Sequence, residues 1–145
     1  MPLTVEVVTA ERVVRTEQGV DVLVAPGSEG QLAILPRHAA FMTTLAPGEL
    51  IIRRAQLDES FAISGGFMEV LRDHVTILAD AAEAAEEIDV DRAEASRSRA
   101  EDRLKRYHEQ SARDVDVARA RASLQRSLMR LGVVQRRRRP GPPRV

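Results

Sequence analysis

The chain has no cysteine and no tryptophan, and only one tyrosine and three phenylalanines occur among its 145 residues. Without cysteine, disulfides, thiolate catalysis and zinc–thiolate sites are excluded. The three histidines, His38, His74 and His108, are scattered and predict no metal site. No apolar run is long enough to span a membrane, and the first residues lack the basic and apolar regions of a signal peptide. These absences predict a cytosolic protein.

The net charge is zero, from 22 basic and 22 acidic residues, but the two signs are unevenly distributed. Residues 1–91 have a net charge of −10, from 16 acidic and 6 basic side chains, and residues 92–145 have a net charge of +10. Every basic residue except Lys105 is arginine, whose planar guanidinium suits carboxylates and phosphates. The split indicates that the halves attract each other or that the second half meets an acidic partner. A general preference for arginine codons explains many of the arginines equally well.

Apolar residues alternate with polar ones in the first half of the chain, as in residues 3–7 and 20–24. This period of two is typical of strands with one buried face. Turn-forming residues interrupt the alternation about every ten residues, at 26–28, 47–48, 58–59, 65–66 and 72–73. Such spacing predicts an antiparallel sandwich or barrel, because helices of normal length do not fit between the turns.

Two loops of this half contain candidate functional residues. Gly65-Gly66 favours either a flat surface for a neighbouring protein or a tight turn or bulge, because glycine allows positive φ and close backbone approach. No Lys-Ser/Thr pair and no helix follow it, so a phosphate-binding loop is not predicted. His38, in the loop that starts at Pro36, has no nucleophile or carboxylate beside it. A polar loop contact is therefore predicted for His38 in preference to catalysis.

From Ile88 onward the apolar residues recur at every third or fourth position, which predicts helices. Asp89 is a suitable N-cap, worth about 1 kcal/mol, and Ile88 with Ala93 forms a hydrophobic staple around it. Helices are predicted over residues 90–107 and from a cap at Asp114, with a turn over 108–113, and the short connection predicts an antiparallel pair. The second helix ends at Gly132 or continues through 133–134. The predicted apolar stripes consist of Val90, Ala93, Ala100, Leu104 and Tyr107, and of Val117, Ala120, Leu124, Leu128 and Leu131.

Arginines are concentrated on the second helix and in the tail. Arg119, Arg126 and Arg130 are seven and four residues apart and so share a helix face. That face is either solvated or a site for phosphate or for an acidic protein surface. Arg136–Arg139 and the prolines after them predict a disordered basic tail. Because no aromatic residues interleave these arginines, nucleic-acid binding is not predicted.

Four segments, in order, resemble the epsilon subunit of F-type ATP synthase of the bacterial or chloroplast kind. They are residues 27–38, 64–70, 75–80 and 88–93, and the resemblance covers roughly residues 3–134. The chain departs from the family pattern at Ala33 and Arg37, where glycine is usual. It departs again at Ala40-Phe41, where Pro-Leu is common.

The resemblance implies an α+β fold: a ten-stranded antiparallel β sandwich over residues 1–84, an antiparallel two-helix hairpin over 85–134 and a disordered tail over 135–145. In the family the sandwich is held between the gamma subunit of the central stalk and the ring of c subunits, and it turns with the rotor. The chain is thus implied to couple proton flow to ATP synthesis as a peripheral subunit at the cytoplasmic face of the cell membrane. Catalysis belongs to the alpha and beta subunits. The residues implied to contact the rotor are Glu29, Gly30, Gln31, Arg37 and His38.

In this family the hairpin either folds against the sandwich or extends along gamma, and the extended arm hinders ATP hydrolysis. Arg119, Arg126 and Arg130 match basic residues that face acidic segments of beta. Some bacterial relatives bind ATP in the folded form, so ATP is implied as a regulatory ligand, and no cofactor is required. The positions that match the ATP site are Glu83, Ile88, Asp89, Arg92, Ala93, Arg99, Arg126 and Arg130. The cap and staple explain Asp89 and Ala93 equally well without ATP.

Two other classes of function compete with this interpretation. A β-sandwich adaptor with a coiled-coil arm, unrelated to the rotor, explains the two periodicities but makes the four matching segments a coincidence. An enzyme requires a catalytic constellation, and none is evident in the sequence.

Overall fold

The computed structural model describes residues 1–110 and 117–138, and the side chains of 1–106 and 117–136. The chain divides into two compact units after Ala85. The first unit contains the strands β1 Leu3–Val8, β2 Val13–Val20, β3 Val22–Gly27, β4 Gly30–Ile34, β5 Phe41–Arg54, β6 Leu57–Leu71, β7 His74–Ala79 and β8 Ala82–Ala84. A 3-10 turn, Ala85–Glu87, spans the boundary between the units. The second unit contains the helices α1 Val90–Gln110 and α2 Val117–Arg138.

The strands form one curled sheet in the order β2-β1-β7-β6-β5-β3-β4, with β8 paired to β6. All pairings are antiparallel except that of β1 with β7. Arg54 of β5 donates to Glu17 of β2 at 2.9 Å, although three strands separate them in the sheet order, so the sheet closes on itself. The alternating inward residues form the core, and its largest fully buried side chains include Leu3, Leu23, Ile34, Leu50, Phe61, Ile63, Met68 and Ile77. The sandwich-like body followed by two helices confirms the predicted fold class.

The predicted number of ten strands is wrong, because β5 and β6 each continue through a pair of residues that signals a turn. Pro47-Gly48 lies inside β5 and Gly65-Gly66 lies inside β6. Were each strand broken there, the sheet would have ten strands. Pro47 is tolerated because the pairing of β3 with β5 is irregular between Val24 and Gly27, where no regular ladder needs its missing N–H.

The predicted turn at the glycine pair is wrong, because the pair lies inside β6 at a place where two backbones approach closely. Gly65 and Gly66 have φ of 118° and 129°. A Cβ on Gly66 would overlap the carbonyl oxygen of Leu78 on β7. The predicted turn at 58–59 also lies inside β6, since the chain reverses at Ala55-Gln56.

The helical unit begins as predicted and extends further than predicted. The Arg92 N–H donates to Asp89 Oδ1 at 3.0 Å, which confirms Asp89 as the N-cap of α1, and Ile88 and Ala93 are both buried. α1 continues beyond residue 107 to Gln110, so the predicted turn does not start at 108. α2 continues through Gly132 and includes residues 135–138, assigned above to the tail. The cap predicted at Asp114, the turn residues 111–113 and the tail residues 139–145 lie outside the described residues.

The prediction that Leu128 belongs to the buried stripe of α2 is wrong. Leu128 is 47% exposed, whereas Ser127, one position earlier, is 1% exposed. Ala120 and Leu131 are buried as predicted. Burial of Ser127 leaves no unsatisfied hydroxyl, because its Oγ donates to the carbonyl of Ser123 at 3.0 Å.

Candidate functional site

The first candidate site is an open recess beside the turn between β3 and β4. Its volume is about 630 Å³, and its lining consists of residues 27–32 and 41–44. Ser28 fixes the turn to β5, since its N–H donates to the Thr44 carbonyl at 3.1 Å and its Oγ accepts from Thr44 Oγ1 at 2.8 Å. Glu29 and Gly30 are exposed at this turn. The recess is thus a rigid, solvent-open surface with polar and apolar walls.

The second candidate site is the loop between β4 and β5, which contains Arg37 and His38. Arg37 has a φ of 66°, in the region that favours glycine, which explains why glycine is usual at this position in the family that the sequence resembles. Its N–H donates to Asp73 Oδ1 at 2.6 Å. The His38 N–H donates to the Leu35 carbonyl at 3.2 Å, which closes the turn.

His38 makes polar loop contacts, as the sequence predicts for it. Its Nδ1 lies 2.7 Å from the Ala39 carbonyl oxygen, and its ring packs against Phe41 with centroids 5.8 Å apart. Phe41 also lines the recess, so it links the two loops. Of the five predicted rotor-contact residues, Glu29, Gly30 and Gln31 line the recess, whereas Arg37 and His38 belong to the adjoining loop.

Sequence reasoning missed Phe41, Met42 and Asp73. Phe41 and Met42 are exposed although apolar, at the start of a strand that is otherwise amphipathic. The signal for them was the departure from the family pattern at residues 40–41. Asp73 could not be found in the same way, since its partner Arg37 is 36 residues away.

The candidate ATP residues of the helical unit lie at the capped start of α1, in the middle of α1 (Arg99) and on α2. The helices of 21 and 22 residues pack against each other across a short connection, which makes them antiparallel. Ser96 Oγ lies 3.3 Å from Ser123 Oγ, and this contact sets their register. Because the helices are antiparallel, the residue one turn before Ser96 lies level with the residue one turn after Ser123. Arg92 of α1 and Arg126 of α2 are therefore at the same height along the hairpin.

These arginines suit an anionic ligand. Arg92, Arg99 and Arg126 are exposed, and none of them forms an ion pair within residues 1–106 and 117–136. Arg97, by contrast, is paired with Glu101 at 3.2 Å. Guanidiniums at one level of a hairpin repel each other, and a phosphate chain would offset that repulsion. Arg92 and Arg126 are therefore suited to an anionic ligand.

The remaining predicted residues lie as follows. Glu83 belongs to the N-terminal unit, on β8 opposite Ala62 of β6. Arg119 is exposed on α2 and Arg130 is half-buried, and both have interactions within the structure. Over the described residues, no group of three or more histidine or acidic side chains could hold a metal ion. The helices over the same residues include none that is long and apolar enough to cross a membrane.

Two family models match adjoining parts of the chain. The model described as "ATP synthase, Delta/Epsilon chain, beta-sandwich domain" matches residues 2–85, and "ATP synthase, Delta/Epsilon chain, long alpha-helix domain" matches residues 86–135. The "ATP synthase epsilon chain" of Herpetosiphon aurantiacus is 50% identical over 138 residues, which cover 95% of this chain and 98% of that one. The protein of the same name from Dehalococcoides mccartyi is 46% identical over 137 residues, covering 94% of this chain and 95% of that one.

Two solved structures have a similar fold. A chain of the Euglena gracilis mitochondrial ATP synthase, in its OSCP/F1/c-ring assembly, superposes with a TM-score of 0.78 at 19% identity, covering 92% of this chain and 81% of that chain. A chain of the Tetrahymena thermophila mitochondrial ATP synthase central stalk and c-ring gives a TM-score of 0.58 at 20% identity, covering 92% of this chain and 97% of that chain. At these identities the likeness concerns the fold.

Proposed function

Since the chain belongs to the ATP synthase delta/epsilon family and is an epsilon subunit of F-type ATP synthase, we propose that it is a non-catalytic rotor subunit whose helices restrain ATP hydrolysis. In this proposal the N-terminal unit binds the gamma subunit and the c-subunit ring. It couples proton flow to ATP synthesis and is held at the cytoplasmic face of the membrane by these partners. Membership of the family removes the alternative of an adaptor unrelated to ATP synthase.

The recess and the adjoining loop support the rotor contact. Glu29, Gly30 and Gln31 lie at a turn that is tied to β5, and Phe41 and Met42 expose apolar surface beside it. Exposed apolar side chains next to polar ones are typical of protein interfaces. Their backbone is held by strand pairing, so little ordering is required when a partner binds.

The observation that carries the regulatory part of the proposal is a set of three exposed arginines, Arg92, Arg99 and Arg126, that form no ion pair within the described side chains, on a hairpin whose apolar contacts include several alanines. Ala93, Ala100 and Ala120 are buried in the helical unit together with the larger Leu131, Val133 and Val134, and each buried methyl of the alanines contributes only about 0.8 kcal/mol. Contacts made through alanine favour the closed hairpin by only a small free energy. The arm then extends along gamma, and Arg119, Arg126 and Arg130 contact acidic segments of beta.

ATP is the proposed ligand of the folded form. Arg92, Arg99 and Arg126 hold the phosphates, and the capped start of α1, with Ile88, Asp89 and Ala93, orients the nucleotide together with Arg130. ATP supplies only charge and binding energy here. It shifts the equilibrium towards the folded arm by its difference in affinity between the two forms.

A truncation tests the regulatory function. ATP synthase that is depleted of this subunit is reconstituted with the full chain or with a chain that ends at Glu87. We expect both to assemble with gamma, and we expect hydrolysis to be faster with the truncated chain. Equal hydrolysis rates would remove inhibition from the proposal, and failure of the full chain to assemble with gamma would remove the rotor function.

Calorimetry tests the nucleotide site. We expect ATP to bind the full chain and Arg92→Ala or Arg126→Ala to weaken binding, because each removes a phosphate donor. Arg121→Ala is the matched control, since Arg121 is exposed on α2 but lies about 140° around the helix from Arg126. Absence of binding heat at millimolar ATP, or equal loss in all three variants, would contradict the site.

A further inference from the structure

Three of the four described non-glycine residues with positive φ lie in two turns that touch each other. Arg37 has a φ of 66°, and Arg72 and Asp73, in the turn between β6 and β7, have φ of 49° and 62°. Each such backbone costs roughly 1–3 kcal/mol and persists only where its surroundings hold it. Here the hydrogen bond from the Arg37 N–H to Asp73 Oδ1, at 2.6 Å, joins the turns.

The two joined turns present basic and apolar side chains within an acidic half of the chain. Arg37 and Arg72 are exposed, and within the described side chains neither guanidinium forms an ion pair. Leu35 and Leu71 beside them are 53% and 47% exposed. The Asp73 carboxylate accepts the Arg37 backbone N–H and, within the described side chains, forms no ion pair with either guanidinium, so the two arginines exceed it in charge by one. Both guanidiniums are therefore free for an outside partner.

From this arrangement we infer that Leu35, Arg37, Leu71 and Arg72 form one interaction surface, the twin-turn surface, and that it binds a protein segment carrying carboxylates beside apolar side chains. Asp73 is its positioning residue, because it holds Arg37 in the backbone conformation that places the two turns together. The inference rests on the proposed rotor function and adds to it the chemistry of the partner, an acidic segment of a rotor subunit. Charge complementarity sets this choice, since residues 1–91 have a net charge of −10 and the twin-turn surface is locally basic.

A second residue with positive φ also donates its backbone N–H to a distant aspartate, and this contact provides a matched control. Ala55 has a φ of 54°, and its N–H donates to Asp21 Oδ2 at 2.8 Å. Ala55 follows the end of β5, whereas Arg37 precedes the start of that strand, so the two contacts lie at opposite ends of a 14-residue strand. Removal of Asp21 should destabilise the unit as removal of Asp73 does, without affecting the twin-turn surface.

The test measures the affinity of the full chain for ATP synthase depleted of this subunit, by titration at low salt. We expect Arg37→Gly and Asp73→Ala to weaken binding about 10-fold, since one charge-assisted contact is worth about 1.5 kcal/mol or more. Asp21→Ala should bind within about 2-fold of the wild type, because an exposed site far from an interface contributes little. The loss for Arg37→Gly should shrink at about 1 M salt, where screening acts within about 3 Å, and Arg37→Lys should recover part of it.

The unfolding temperature of each variant shows whether weaker binding results from a displaced Arg37 or from a destabilised fold. Glycine accepts the φ of residue 37 without strain, so Arg37→Gly should unfold at the wild-type temperature or above it while binding more weakly. Wild-type affinity of both Arg37→Gly and Asp73→Ala would overturn the inference, and so would an equal loss for Asp21→Ala. The same variants are also titrated with anionic phospholipid vesicles. If they lost affinity for the vesicles but not for the depleted complex, the partner would be a membrane and the inference would be wrong. Failure of the wild type to bind the depleted complex would count against the rotor function instead.

Discussion

Replacement of Gly66 by alanine is the most direct test of the close approach of β6 and β7. Gly66 has a φ of 129°, a backbone conformation that costs an L-residue roughly 1–3 kcal/mol. The added Cβ would also overlap the Leu78 carbonyl oxygen and lie 2.9 Å from the Ala79 Cα. Both atoms belong to backbone in a paired strand, so the strands must separate, and overpacking of this kind costs a further 1–3 kcal/mol or so.

Gly30→Ala separates these two contributions. Gly30 has a nearly identical φ of 135°, but nothing lies within 4 Å of a Cβ built on it. Its replacement should therefore cost the backbone strain alone. The difference in unfolding free energy between the two variants then measures the steric overlap at β7.

The assay is calorimetric unfolding of the full chain, with hydrogen exchange in β6 and β7 used to assign the transition to the N-terminal unit. Because 1 kcal/mol shifts the midpoint of a domain of 60–100 residues by roughly 4–8 °C, Gly66→Ala should unfold roughly 5–20 °C below Gly30→Ala. Equal midpoints for the two variants would show that β6 and β7 do not approach as closely as described and would refute the reasoning.

Three further predictions concern the helical unit and are measured by the loss of helical circular dichroism on heating. Gly132→Ala should stabilise α2 by about 1 kcal/mol, because the glycine is inside the helix and a Cβ there would make only ordinary contact; destabilisation would mean that α2 ends before it. Ser127→Ala should change stability by less than about 0.5 kcal/mol, since within the described residues its hydroxyl bonds the Ser123 carbonyl of its own helix and no other group, and a large loss would indicate a further partner. Asp89→Ala should cost about 1 kcal/mol by removing the acceptor for the Arg92 N–H, whereas Asp89→Asn should cost little because asparagine also caps well; equal losses would exclude capping as the cause.

Local patterns predicted the elements, and contacts between distant residues decided how long the elements are. Alternation found the strands because their burial alternates in the structure, as in β1 from Leu3 to Val8. Pro47-Gly48 and Gly65-Gly66 were read as turns because proline and glycine favour turns in an isolated segment. Within the sheet, Gly65-Gly66 lies between β5 and β7 and Pro47-Gly48 is paired with β6, so the chain continues through both pairs as strand.

The helical unit shows the same division between local and distant information. The choice between Ser127 and Leu128 for the buried face depends on the packing of α2, because spacings of three and four both fit a helix. Hydrophobicity favoured Leu128, whereas the structure buries Ser127, one turn after the Ser123 that contacts Ser96 of α1. The contact of Arg37 with Asp73 was inaccessible for a related reason, as no periodic pattern links residues so far apart.

The start of α1 shows why a sequence motif at a helix terminus supports ATP binding without deciding it. The cap uses Oδ1 of Asp89, which accepts the Arg92 N–H, and the Ala93 N–H donates to the Asp89 carbonyl in the first helical turn. Folding alone therefore accounts for a capping residue at position 89 and for a small buried residue at position 93. The guanidinium of Arg92 has no part in that cap, and it is exposed at the level of Arg126 on the other helix. The proposed regulation by ATP would therefore depend on Arg92 and Arg126, whereas Asp89 and Ala93 would be present in a hairpin that bound no nucleotide.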